Sequence, residues 1–215
     1  TGEADRQPQK HGMAITDIFT GIYASTAILA AVHQRGSTGV GQHIDMALLD
    51  CAVAITGNQG MNYLTSGKAP TRMGNAHPNL TPYEVFETSD GHIIIATGND
   101  GQFQRLCHLL GLDDMMTDPD YTKNANRVAN RPAMNARLEG ATRLRTRADL
   151  LAACEANTVP AGPINSLEDT FNDPQVIARG MQIELDGVPG INSPFKFSGA
   201  ELSLKRPAPK LGEDD

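Results

Sequence analysis

The chain has 215 residues, 40% hydrophobic and 20% charged, with a formal net charge of −7 at neutral pH. That length buries a core without needing disulfides or a metal, and the acidic balance offers no general attraction for a phosphate backbone, which argues against a nucleic-acid surface. The cysteines Cys51, Cys107 and Cys154 lie far apart, match no metal-ligand spacing and read as reduced core residues of a cytoplasmic protein.

The sequence opens on a polar "TGEADRQPQK" without a methionine, as expected of a segment taken from within something longer. From Met13 to Val32, Ile15, Ile18, Ile22, Leu29 and Val32 recur with small residues between them. That spacing predicts a helix buried on most sides, with Arg35 in its last turn and Gly36 as a left-handed cap. No run reaches the roughly 18 unbroken apolar residues of a membrane span, and no basic leader precedes a cleavage site, so a soluble protein is expected. "GSTGVGQHID" reads as a Gly-rich turn entering a short extended piece; it follows a helix and lacks the Gly-Lys-Ser/Thr ending of a phosphate loop. "MALLDCAVAITGNQGMNYL" resumes helical periodicity, weakened toward its end by Gly57 and Gly60. Thr65 to Pro82 is a loop and a boundary.

Beyond it the period changes. "PYEVFETSDGHIIIATG" predicts two strands around "TSDG", with Gly91 at positive φ. Asn99 or Asp100 then caps a helix carrying Phe103, Leu106, Cys107 and Leu110 on one face and ended by Gly111. "ANRPAMNARLEGATRL" is a further helix with Pro132 near its first turn, and Thr146 with Asp149 resembles a capping box opening the next. Four arginines between Arg137 and Arg147 read as a solvated face. "VPAGPIN" is stiff and extended, Ser166 and Asp173-Pro174 each start a short helix, "MQIEL" and "FKFS" read as strands, and "RPAPKLGEDD" is a proline-broken acidic tail.

Two places invite chemistry. Asp17 puts one carboxylate at the start of an apolar helix. Either Thr16 or Asp17 caps that helix, or the carboxylate stays ionised there in a water-poor pocket and attacks an activated carbonyl. "RMGNAHPNLTPY" crowds Gly74, Asn75, His77, Pro78 and Asn79 into a loop before a hairpin, where a rigid scaffold presents functional groups. The structural alternative is a turn stiffened by Pro78 and capped by the side chains of Asn75 and Asn79. His11, His33, His43 and His108 have no carboxylate or cysteine partner at ligand spacing, and no metal site is expected.

"GMAITDIFTGIYASTAILAAV", "GVGQHIDMALLD", "GNAHPNLTPYEVFETSDGHIIIATGND", "VPAGPIN" and "DPQVIARGM" together resemble the class III CoA-transferases, the family that includes formyl-CoA transferase and carnitine CoA-transferase. The resemblance runs from Thr1 to about Gly212 and implies an α/β protein whose members are nearly twice this length, the N-terminal half being absent here. It implies an interlocked homodimer, each subunit with a large α/β domain and a smaller α+β domain. Residues 1–65 would be part of the large domain and its linker helices, 66–165 the small domain, and 166–215 a segment returning toward the large one. It implies transfer of CoA from an acyl-CoA donor to a carboxylic acid, through aspartyl anhydrides and an aspartyl-CoA thioester on Asp17. Gly74, Asn75, His77 and Asn79 would bind substrate where formyl-CoA transferase has a glycine-run lid, "GNAHPN" being similar to many other members of the family. CoA is then a substrate, and no cofactor, nucleic acid or membrane is called for. Two other readings stand beside it. One is an α-methylacyl-CoA racemase, in which Asp100 would take the place of a second acid-base group. The other is a catalytically incomplete fragment that self-associates through apolar surface.

Overall fold

In the computed structural model the apolar run near the start folds as helix α1, Ile15–Thr38. It continues past the predicted end, with Gly36 inside it and Gly39 as the cap, at φ 71° with its amide 2.8 Å from the Arg35 carbonyl. The Ser37 and Thr38 hydroxyls bond back to the Gln34 carbonyl at 2.9 and 3.0 Å and so support the extra turn. The predicted burial is wrong: no residue of α1 is buried among the described residues, which are 1–204 and 206–213, and Leu29 is 69% exposed. Periodicity identifies an apolar face but cannot say whether the chain itself covers it. By length and composition α1 is also able to cross a membrane, although its apolar run is not unbroken. It is interrupted by Thr20, Ser25 and Thr26, whose hydroxyls bond carbonyls one turn back at 2.8, 2.8 and 3.0 Å.

The second predicted helix is two. Helix α2, Leu48–Ala54, packs against α1 and buries Cys51; Gly57, at φ 53°, breaks the chain before α3, Gly57–Ser66. The "GVGQHID" stretch is irregular and forms no strand.

The core lies farther along. Strands β1, Tyr83–Thr88, and β2, Gly91–Ala96, pair antiparallel from Tyr83↔Ala96 to Thr88↔Gly91, and β3, Ala161–Pro163, lies on the other side of β2. Alternation turns Phe86, Ile93 and Ile95 to one face. There they pack with α4, Asp100–Leu110, α6, Arg131–Thr142, and α7, Arg147–Ala156, through Phe103, Leu106, Met134, Leu138 and Leu150. Asn99 caps α4 by accepting from the Gln102 amide at 2.9 Å, and Gly111 ends it at φ 71°. The short helix α5, Asn124–Ala129, precedes α6, so the predicted helix around Pro132 holds for α6 alone. Thr146 caps α7 by accepting from the Asp149 amide at 3.2 Å.

Contacts divide the chain into Thr1–Gly162, which holds nearly all of this, and Pro163–Asp215. The second unit contains α8, Leu167–Asn172, opened by a full Ser166/Asp169 capping box, and α9, Pro174–Ala178, capped by Asp173. It also contains the hairpin of β4, Gln182–Leu185, and β5, Val188–Ile191. Asp186 and Gly187, at φ 50° and 78°, make the hairpin's tight turn. "FKFS" is not a strand; the sheet of this unit is the two-stranded β4–β5 hairpin. Lys205 and the last two residues of the acidic tail fall outside the described residues.

Candidate active site

Asp17 is the third residue of α1 and exposed; the N-cap is Ala14, with no side-chain cap bond. Neither capping alternative holds, since α1 has no side-chain cap. The water-poor surroundings expected of a nucleophile are not supplied among the described residues, where Asp17 is exposed.

The loop before the hairpin is ordered by its bonds. Gly74 sits at φ 59°, a conformation that favours glycine, and its amide bonds the Gly2 carbonyl at 3.0 Å. His77 Nδ1 accepts the backbone N–H groups of Asn79 and Leu80, both at 3.1 Å. Its ring stacks on Tyr83, centroids 5.0 Å apart, and its carbonyl accepts from Arg131 Nη2 at 2.7 Å. Arg131 in turn meets Glu84 at 3.4 Å. The Asn79 side chain exchanges two hydrogen bonds with Asn62 of α3, at 3.0 and 3.3 Å, and Asn124 Nδ2 donates to the Asn79 carbonyl at 2.8 Å. The predicted turn is therefore real but its cap is His77. Asn75 is exposed and its side chain caps nothing among the described residues, and Asn79 clamps α3 instead.

The structure thus gathers Gly74 to Asn79 in one loop and joins His77 to Asn79. No hydrogen bond or ion pair among the described residues links Asp17 to them. Sequence reading missed Asn62, Tyr83, Asn124 and Arg131. Of these only Tyr83, in the quoted "NLTPY", lay within a stretch already singled out; the others carry no local signal.

The remaining candidates are structural. Asp100 pairs with the buried Arg127 at 2.9 Å and with Lys123 at 3.4 Å. Partial burial works against its ionisation, but the guanidinium and ammonium outweigh it and hold the carboxyl below its usual range. The carboxylate offered as the racemase's second acid-base group is thus engaged by two cations. Burial pushes the thiols of Cys107 and Cys154 up to about 12 and about 11, so neither is a nucleophile at neutral pH. His108 does have a carboxylate partner, Asp113 at 2.8 Å, but both are exposed. The arginine face is paired: Arg137 meets Asp114 at 2.6 Å, Arg143 meets Glu87 at 2.7 Å and Arg145 donates to the Leu109 carbonyl at 2.8 Å. Among the described residues, no three His, Cys, Asp or Glu side chains cluster as a metal site would require.

Residues 1–215 match the profile of CoA-transferase family III. The chain is 51% identical over 218 residues to a succinate–glutarate CoA-transferase of Agrobacterium fabrum, covering 99% of this chain and 54% of the relative. It is 35% identical over 212 residues to a succinyl-CoA:mesaconate CoA-transferase of Haloarcula marismortui, covering 99% and 52%. Among solved structures, a CAIB/BAIF family protein from Brucella suis matches at 54% identity with a TM-score of 0.81, covering 99% of this chain and 56% of that one. The orthorhombic form of Rv3272 from M. tuberculosis, at 25% identity and TM-score 0.84, covers 96% and 54% and shares the fold. The chain spans about half the length of the relatives it matches.

Proposed function

This chain belongs to CoA-transferase family III, and we propose that, within a protein of the family's full length, it carries the acyl-transfer chemistry that moves CoA from an acyl-CoA to a carboxylic acid. The observation that carries the reading is the match to named CoA-transferases along 99% of the chain. Asp17, in the first turn of α1, is the nucleophile. Its carboxylate attacks the thioester carbonyl, CoA thiolate leaves, and an aspartyl-acyl anhydride forms. Thiolate then attacks the aspartyl carbonyl, giving an aspartyl-CoA thioester and releasing the donor acid. The acceptor carboxylate displaces thiolate to form a second anhydride. Thiolate finally attacks the new acyl carbonyl, yielding the product acyl-CoA and restoring Asp17. Each anhydride is open to hydrolysis, so water must be excluded. The exposed apolar face of α1, in a chain that spans about half the length of its relatives, supports assigning that cover to further polypeptide, in an interlocked homodimer. Residues 1–65 and 166–215 would then belong to the large domain and 66–165 to the small one.

The names of the two relatives, which give succinate, glutarate and mesaconate, support dicarboxylates as the acids exchanged. Three free, buried cysteines support a cytoplasmic setting, and the chemistry needs no group beyond the CoA thioester. The test is mass spectrometry of full-length protein incubated with succinyl-CoA and trapped with hydroxylamine. A hydroxamate on the peptide containing Asp17, absent in Asp17→Asn together with loss of transfer, is the expected result. An adduct elsewhere, or undiminished transfer by Asp17→Asn, overturns the assignment.

A further inference from the structure

We propose that Gly41 to Met46 is a β-strand of the full-length protein, paired along both edges by strands from the part of the same polypeptide that lies outside these 215 residues. The inference rests on the chain's belonging to a family whose members are about twice its length, and not on the transfer reaction. From Val40 to Ala47 the chain runs without turn or bend, and Ala47, at φ −103° and ψ 134°, is still extended where α2 begins. Its side chains alternate. Gln42 donates to the Gln34 side chain of α1 at 2.9 Å, Ile44 is half-buried, and Met46 accepts from the Cys51 thiol of α2 at 3.6 Å, whereas His43 and Asp45 are exposed. Every second residue thus turns toward the α1–α2 pair, which is the period of a strand lying on helices.

The backbone of this segment is bare. Among the described residues, no N–H or C=O group from Gly41 to Met46 makes a hydrogen bond. In an extended chain successive groups point to opposite sides, so both edges stand open. Backbone polar groups seek partners, and a straight row of them fits another extended backbone. A second copy of this chain fills the site poorly, because two segments joined about a two-fold axis close one edge of each and leave the other open. Further polypeptide of a full-length protein is ample for both edges, since the relatives are matched over only 54% and 56% of their own length. Pairing inside one polypeptide also avoids the cost of association.

Hydrogen exchange read by mass spectrometry tests the pairing. In the full-length protein the amides of Gly41 to Met46 should exchange roughly a hundredfold or more slower than in the 215-residue chain at low concentration, where they should exchange as in an unfolded peptide. A photoreactive benzoylphenylalanine in place of the exposed His43 should cross-link within one polypeptide, to a peptide outside residues 1–215, so that the product keeps the monomer's mass under denaturing conditions. Equal exchange in the two proteins, or a cross-linked product of doubled mass, overturns the proposal. A full-length protein that protects these amides yet transfers no CoA would instead refute the functional reading and leave the strand standing.

Discussion

Arg127 is 1% exposed, and each of its three guanidinium nitrogens donates a hydrogen bond. Nε donates to the Thr81 carbonyl at 2.9 Å, Nη1 to the Tyr121 carbonyl at 2.8 Å and Nη2 to Asp100 at 2.9 Å, while the group lies 4.5 Å above the Phe103 ring. A buried charge is tolerated only when its donors are met, and here they tie the end of the candidate loop to α4. Arg127→Met should destabilise the fold by about 2–4 kcal/mol in urea titrations, because two carbonyls and a carboxylate lose their donor. The Asp100 carboxyl, held below its usual range, stabilises the folded state fully above the ordinary carboxylate range. That contribution fades as pH falls through its lowered folded value. Asp100→Asn should accordingly flatten the acid limb of a stability–pH curve below about pH 4, by a modest amount since the group is 38% exposed and screened. Asp17 makes no cap bond, so Asp17→Ala should leave thermal stability near the parent's, short of the ~1 kcal/mol that losing a true cap costs.

At the scale of elements, α4 combines every local signal in agreement. Asn99 supplies the cap, the apolar stripe faces the β1–β2 hairpin, and Gly111 ends the helix. Removing the cap with Asn99→Ala should lower stability by about 1 kcal/mol in thermal melts, a cost that Asn99→Ser should largely restore. Where local signals conflict, neighbours decide. The stretch from Leu48 to Ser66 reads as one helix, yet Gly57 leaves right-handed space and divides it, which lets α3 present Asn62 to Asn79. That pairing is what connects the first helices to the candidate loop.

For the whole chain, the contrast lies between a dry core beneath the hairpin and the bare helices α1 to α3, where Leu29, Leu49 and Leu64 are 69, 73 and 74% exposed. Apolar surface on that scale seeks cover. The 215-residue chain alone should bind a hydrophobic dye and sediment as concentration-dependent oligomers, and the pair Leu29→Lys and Leu49→Lys should shift it toward monomer without lowering the melting of the core. The hairpin, the α4 cap and stripe, the short capped helices α8 and α9 and the buried cysteines were all legible in the sequence, since each depends on residues within a turn or two of one another. So was the grouping of Gly74, Asn75, His77 and Asn79, adjacent in sequence. Only the tertiary structure decided that His77 caps its own loop, that Arg127, Arg131 and Asn62 hold that loop from afar, and that α1 lies uncovered. Such partners are brought together by chain closure over tens of residues, and neither hydrophobic period nor local propensity carries information about which surface will meet which.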